Sequence, residues 1–444
     1  MLARKLGGMS TPADLVYTIT KDKLPGEWSL ATISDLVGKD GVFVDGDWVE
    51  SKDQDPDGDV RLIQLADIGD GEYRNKSERF LTYEKAIQLG CTFLKKGDVL
   101  IARMPDPLGR ACIFPGDKKK AVTVVDVAIV RPAEDAFDAR WIMYFVNAPA
   151  FRSAVASMQS GSTRKRISRG NLSKIVLPVP PLDQQKRIVA EIEKQFSRLD
   201  MAVANLKRVK VNLKRYKASV LQSVTSGRLT TEQGRTENTT NWRWLTIVEL
   251  ASPQPRSIQS GPFGSNLRHS EFQATGKLVI GIDNVRDGEF SFGANHRISD
   301  AKFQELAKYA ARPGDVLITV MATIGRVCVV PESIEPAIIT KHVYRITVNR
   351  QLALPDYVAI ALRGSHEVRE QLMASVQGQT RPGLNGGLIK KIRVPIPPLA
   401  EQHRIVAEVD RRLSLIRETE AQVDANLKRT ERMRQSILAK AFSA

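Results

Sequence analysis

The chain's 444 residues are too many for one ordinary hydrophobic core and point to two or three domains. Its 42% apolar content excludes a disordered chain, and a formal net charge of +16 favours a polyanionic partner, nucleic acid before an anionic membrane surface. Three scattered cysteines, Cys91, Cys112 and Cys328, exclude a disulfide framework and a thiolate zinc site, and suit a reducing cytoplasm.

Residues 1–22 form an N-terminal segment with basic residues but no apolar stretch of the secretory type. Residues 23–181 read as a mostly-β globular domain, with short apolar runs separated by Gly, Pro and Asp turns. The longest such runs, as in AVTVVDVAIV (121–130), are strand-length and broken by Asp126, too short to span a bilayer. DQDPDGD (53–59) resembles the start of a calcium loop, but Gln64 stands where a bidentate Glu is needed and a proline intrudes; it reads as a turn. The domain ends in the proline stop Pro178-Val-Pro-Pro181, whose missing amide donors end a strand.

A long helix is expected over 182–226, with a seam at Ile188, Ile192, Phe196, Leu199, Val203, Leu206, Leu213, Tyr216 and Val220 spaced three and four apart. The segment 227–241 is a polar linker. Then the order repeats: a second mostly-β domain at 242–398, the stop Pro395-Ile-Pro-Pro398, and a helix over 399–444. Its seam falls at Ile405, Val409, Leu413, Ile416, Val423, Leu427, Met433 and Ile437.

The repeat is internal and runs the length of the chain. Between Pro178–Glu191 and Pro395–Glu408, ten of fourteen aligned positions are identical, an offset of 217 residues. The same offset aligns LIQLADIGDGEY (62–73) with VIGIDNVRDGEF (279–290), and KKGDVLIAR (95–103) with RPGDVLITV (312–320). LGRACIFP (108–115) meets IGRVCVVP (324–331) one residue out of step. Neither helix has a bundle of its own, so each buries its seam on the other. The expected fold class is α+β: two pseudo-twofold related repeats, each a mostly-β domain followed by a long helix, with the helices packed as an antiparallel coiled coil.

No Walker A loop, HExxH or other His ligand spacing, nucleophile elbow, cofactor-type glycine loop or Asn/Asp-Pro-Pro-aromatic segment is present; together these absences point to a binding protein. What recurs is arginine beside glycine in loops. Arg103 and Arg110 close the GDVLI and LGR runs, QSGSTRKRISRGN (159–171) carries Arg164, Lys165, Arg166 and Arg169, and the second repeat offers Arg326 and Arg381. The loop IQSGPFGSNLRH (258–269) adds Ser260, Gly261, Phe263, Ser265, Asn266 and Arg268. Such loops approach phosphates closely while side chains reach base edges, and these residues are the candidate DNA-binding set.

Two variable mostly-β domains, each followed by a PxPPLxxQxRIV segment and a long helix, resemble the specificity subunits of type I restriction-modification systems. The resemblance rests on PVPPLDQQKRIVAEIE and PIPPLAEQHRIVAEVD, on the GDVLI segments, and on GSTR (161–164) with GQTR (378–381). The first domain has no evident counterpart of the GPFGSNL loop. The resemblance implies that each domain is a target recognition domain reading one half of a split asymmetric DNA site, while the helices set the spacer. It implies no catalysis and no cofactor in this chain. Partners would be double-stranded DNA, two methyltransferase subunits carrying S-adenosylmethionine, and ATP-driven restriction subunits. Gln185, Arg187, Gln402 and Arg404, in the PxPPL segments, are the candidate partner-binding residues. A recognition chain for a combined type II nuclease-methyltransferase, and a basic DNA scaffold without sequence preference, remain as alternatives.

Overall fold

The computed structural model describes residues 24, 26–105, 107–133, 137–161, 165–227, 241–293, 296–374 and 383–442. Arg164, Arg381, segment 1–22 and most of the 227–241 linker lie outside these residues. The chain divides into two compact units, the first made of Met1–Leu206 with Ala425–Ala444 and the second of Lys207–Asp424.

In the first unit, strand Ser29–Thr32 pairs antiparallel with Val176–Val179, placing Leu30 opposite Pro178 in a two-stranded ribbon where a proline removes few ladder bonds. Thr32 then starts helix Ile33–Val37: its hydroxyl accepts from Asp35 N at 3.2 Å, and Asp35 Oδ2 accepts from Thr32 N at 2.8 Å. Thr246 and Glu249 repeat this box in the second unit. Thr32→Ala is expected to destabilise the first unit by about 1 kcal/mol, seen as a lower denaturant midpoint at unchanged slope.

A four-stranded antiparallel sheet follows, in the spatial order Val42–Asp45, Val127–Arg131, Val99–Ala102, Ala111–Ile113. Its alternate residues serve two cores. Val99, Ile101, Ala128 and Val130 pack with Trp141, Ile142 and Phe145 of helix Ala139–Val146, while Leu100, Ala102, Val127 and Ile129 face Ile63 and Ile68. Burial on both faces is why these strands read as unbroken apolar runs. The second core is covered by a sheet of Phe80–Leu81, Val60–Ile63 and Lys120–Thr123, the last two parallel.

The second unit repeats this plan. Arg243–Thr246 pairs with Arg393–Ile396, Trp244 facing Pro395. Its four-stranded sheet runs Ile258–Ser260, Val343–Ile346, Val316–Thr319, Val327–Val329, and its second sheet again holds a parallel pair, Lys277–Ile280 with Ala337–Ile339. The recurring Gly-Asp-Val-Leu-Ile segment is structural in both. Gly97 and Gly314 take φ of +98° and +81°, and the following Asp is buried. Asp98 accepts from Lys95 N at 2.8 Å and from two Arg131 nitrogens at 2.6 Å; Asp315 accepts from Arg312 N at 2.7 Å and Thr347 Oγ1 at 2.6 Å.

The long helices are Leu182–Thr225 and Leu399–Ala441, 44 and 43 residues. In the first unit, Leu438 and Phe442 from the end of the second helix join a core with Val189 and Ile192 near the start of the first. Further along, Arg434 pairs with Asp200 and lies over the Phe196 ring, 4.6 Å from its centroid. In the second unit, Leu221 and Val224 share a core with Ile405 and Val409, while Lys210 Nζ lies 2.7 Å from Asp424. Within each unit the numbering rises along one helix as it falls along the other, so the pairing is antiparallel.

The seam departs from its sequence-based form at one equivalent pair. Tyr216 and Met433 are exposed, and the neighbouring half-buried position is held by Lys217 and Arg434. Long aliphatic stems there cover apolar surface and leave the charge at the edge, and the seam resumes at Val220 and Leu221, with Leu438 in the second copy.

Candidate nucleic-acid interface

One edge of each four-stranded sheet gathers the loops of interest. In the first unit the strand ends at Asp45 and Ala102 and the strand starts at Ala111 and Val127 share an edge, by their register, so loops 46–54, 103–110 and 124–126 emerge together. Ile167 N donates to Arg103 O at 3.1 Å and brings the 165–168 turn to the same place. In the second unit Ser260, Thr319, Val327 and Val343 form the matching edge, with loops 261–268, 320–326 and 340–342. Leu384 N donates to Val320 O at 3.0 Å as the counterpart of the Ile167 contact.

The described candidates therefore come together within each unit, but at different depths. Lys165, Arg166 and Arg169 are exposed; Arg169 Nη1 donates to Phe43 O at 2.9 Å and its Nε lies 3.8 Å from Asp45. Arg103 is only 4% exposed, donating to Val125 O at 2.5 Å and Ile167 O at 3.4 Å. Its Nε sits 3.2 Å from Asp45, close enough for an ion pair but misaligned for a hydrogen bond. Burial pulls its pKa below the usual guanidinium value, and Asp45 opposes that shift.

Arg110, also 4% exposed, is a clasp: Nε donates to Ile68 O at 2.7 Å, Nη1 to Met104 O at 3.2 Å and Pro107 O at 3.0 Å, and Nη2 to Leu65 O at 2.8 Å. The sequence put both arginines among surface contacts, whereas the structure puts them beneath the surface, holding loops in place. Their motif neighbour Arg326 is exposed, in a loop one residue shorter than that of Arg110.

In the second unit Ser260 is half-buried, while Phe263, Ser265, Asn266 and Arg268 are exposed. Gly261 is required: a Cβ there would lie 2.1 Å from Ile339 O. Beside this loop stand exposed Lys341 and half-buried His342, whose pKa is lowered by burial and then by Lys341, so the ring is neutral at neutral pH. Neither residue was picked out from the sequence. Nor was Trp48, 72% exposed on the first unit's loop edge.

The PxPPLxxQ segments fasten each long helix to its own unit. Gln185 is buried, donating to Pro180 O at 2.9 Å and accepting from Asp138 N at 3.1 Å; Gln402 donates to Pro397 O at 2.8 Å and Leu352 O at 3.1 Å and accepts from Leu354 N at 2.8 Å. Their amides are engaged inside the chain, and Arg187 and Arg404 are exposed on the helix starts. Trp28 Nε1 donates to Gln184 at 3.0 Å and Trp242 Nε1 to Glu401 at 2.9 Å, which makes Gln184 the counterpart of Glu401.

Cys112 and Cys328 are equivalent core residues opposite Leu100 and Leu317, their thiols pushed up to about 12 by burial. Among the described residues no group of three or more His, Cys, Asp or Glu is arranged to hold a metal ion, and no helix is long and apolar enough to cross a membrane.

Residues 25–211 and 279–429 match the family described as the type I restriction modification DNA specificity domain. The specificity subunit of the type I restriction enzyme EcoBI of Escherichia coli is 28% identical over 329 residues, covering 71% of this chain and 67% of that protein. The EcoKI specificity subunit of Escherichia coli strain K12 is 26% identical over 331 residues, with the same two coverages of 71% and 67%. Among solved structures, a chain from work on complex assembly and conformational transition of the type I R-M system superposes with a TM-score of 0.70 at 17% identity, over 95% of this chain and 99% of that one. The HsdS subunit of Thermoanaerobacter tengcongensis gives a TM-score of 0.55 at 18% identity, over 96% and 99%. These two likenesses carry the fold, and the family match carries the role. With matched stretches in both copies of its repeat, the chain belongs to the type I restriction modification DNA specificity domain family, the non-catalytic DNA-recognition component of type I restriction-modification.

Proposed function

We propose that each unit reads one half of a split, asymmetric DNA site through its loop edge, and that the paired helices set the gap between halves and dock two methyltransferase subunits. The observation that carries this reading is the recurrence of one scaffold edge with different side chains. The first unit exposes Lys165, Arg166 and Arg169 there, and the second Phe263, Ser265, Asn266, Arg268 and Arg326. A shared frame with unshared loops suits two unlike half-sites.

Docking on the helices is supported by apolar side chains outside the seam: Met201, Val209, Val211 and Tyr216 on the first helix, Leu415 and Met433 on the second. Exposed Arg187 adds a charged rim beside Glu27, Asp183 and Glu191 at the first helix start, and Arg404 stands at the matching position. S-adenosylmethionine would enter with the methyltransferase partners, restriction subunits would join the same complex, and the site of action would be the cytoplasm with its DNA.

Adenine methylation mapped across the host genome, with and without this gene, tests the reading. Loss of a single motif with two short halves around a fixed gap is the expected result; an unchanged methylome while the gene is expressed would overturn it. For the purified complex, Lys165→Ala with Arg166→Ala is expected to weaken binding to all duplexes alike and to flatten the log Kd against log salt slope by about 2. An unchanged slope would remove these residues from the phosphate contacts.

A further inference from the structure

We infer that Trp48 and Phe263 are equivalent base-contacting side chains, one in each half-site reader, carried into the DNA by the same strand-end turn. This rests on the half-site reading above and adds to it a residue that no motif marks.

The equivalence is structural. Strands Val42–Asp45 and Ile258–Ser260 hold the same edge position in the equivalent four-stranded sheets of the two units, and each runs into a glycine. At Gly46 a Cβ would meet Val124 O at 2.3 Å and Thr123 O at 2.6 Å; at Gly261 it would meet Ile339 O at 2.1 Å and the Thr340 carbonyl carbon at 2.4 Å. In both, the chain presses against the end of a strand of the parallel pair, and only glycine fits. Two residues on stand Trp48 and Phe263, so Gly-Asp-Trp holds the place of Gly-Pro-Phe. The first unit thus does have a counterpart of the GPFGSNL loop, in position though not in sequence.

Both rings are turned outward, Trp48 72% and Phe263 59% exposed. A single exposed aromatic calls for no explanation. Two at one structural position, in loops that otherwise share only the glycine, indicate that the position needs a ring and the neighbours are free to differ. Large, stiff rings make contact at low entropic cost and, in a duplex, can wedge against a base at a partly unstacked step.

The Trp48 ring is held by its own loop. Trp48 Nε1 donates to Glu50 Oε1 at 3.3 Å, Glu50 pairs with Lys52 at 2.7 Å, and Asp47 is half-buried, accepting from Thr92 N at 3.0 Å. A ring steadied by that hydrogen bond loses little further freedom on meeting a base. Positive charge for the phosphate backbone stands alongside, on exposed Lys52 and on Arg169, which donates to Phe43 O of the strand leading into this loop.

The test uses the full chain with its methyltransferase partner and duplexes of the bipartite site, with 2-aminopurine placed in one half or the other. Wild type should change the probe's fluorescence in both halves. Trp48→Ala should lose the signal in one half only and Phe263→Ala in the other, each weakening specific binding by roughly ten- to a hundredfold while leaving scrambled duplex unaffected. Trp48→Phe should retain most of the affinity, since another ring suffices. Variants that bind within twofold of wild type with both signals intact, or that lose affinity for site and scrambled duplex alike, would overturn the inference while the half-site reading stands. A wild-type complex that fails to discriminate the site from scrambled duplex would overturn both.

Discussion

Replacing Leu438 and Phe442 together by alanine is expected to melt the first unit well before the second, although both residues lie at the far end of the second repeat's helix. Each is 3% exposed, and the Phe442 ring meets Trp141 at 6.0 Å and Phe145 at 5.1 Å, both edge-on. Emptying buried leucine and phenylalanine sites costs about 2–5 and 3–5 kcal/mol. That compares with a typical domain stability of about 5–15 kcal/mol. Hydrogen exchange resolved by segment should show protection lost in strands Val99–Ala102 and Val127–Arg131 and retained in Val316–Thr319 and Val343–Ile346. Equal loss in both units, or none, would refute the assignment of these residues to the first core. Binding of the first unit's half-site should fall with its fold.

Arg110→Ala is the second large effect, again on stability before DNA. The guanidinium satisfies the carbonyls of Leu65, Ile68, Met104 and Pro107, which no small side chain at 110 could reach. Each buried carbonyl left unpaired costs about 1–3 kcal/mol, and partial relaxation makes a net loss of roughly 3–5 kcal/mol the expectation. Arg110→Lys should fail to restore it, because an ammonium cannot reproduce a planar fork aimed at several acceptors. Arg326→Ala, at the motif-equivalent and exposed position, should change stability by less than about 0.5 kcal/mol and act on DNA affinity instead. Thermal unfolding beside salt-dependent binding separates the two. If Arg110→Ala kept its stability and lost affinity, Arg110 would be a DNA contact after all.

The architecture was legible where physics writes a period or a stop: the duplicated proline segments, the three-four seam, and the apolar runs that proved to be strands buried on both faces. DQDPDGD is a turn in the structure, with Asp55 O accepting from Gly58 N at 3.0 Å. The interface was legible as a set of loops but not in depth. Nothing in a sequence separates an arginine clasped by carbonyls, such as Arg103 or Arg110, from one facing solvent, such as Arg326. Gln185 and Gln402 stood out for their motif, and the motif turned out to fasten a helix start. Trp48 was missed because the equivalence of Gly46 and Gly261 lies in what each glycine's backbone presses against. Tyr216 and Met433 fit the spacing of a seam, yet a neighbouring long basic side chain takes that place.

The exchange of helix ends also sets the order of events at synthesis. Trp141, Phe145 and the sheet beneath them leave the ribosome with one face of their core uncovered, and the side chains that cover it, Leu438 and Phe442, are translated only after the entire second repeat. The second unit has no such wait, because Leu221 and Val224 are made before the strands they pack against. The nascent first unit therefore passes through translation as an open apolar surface, a target for holding chaperones. The N-terminal reader reaches its final form last.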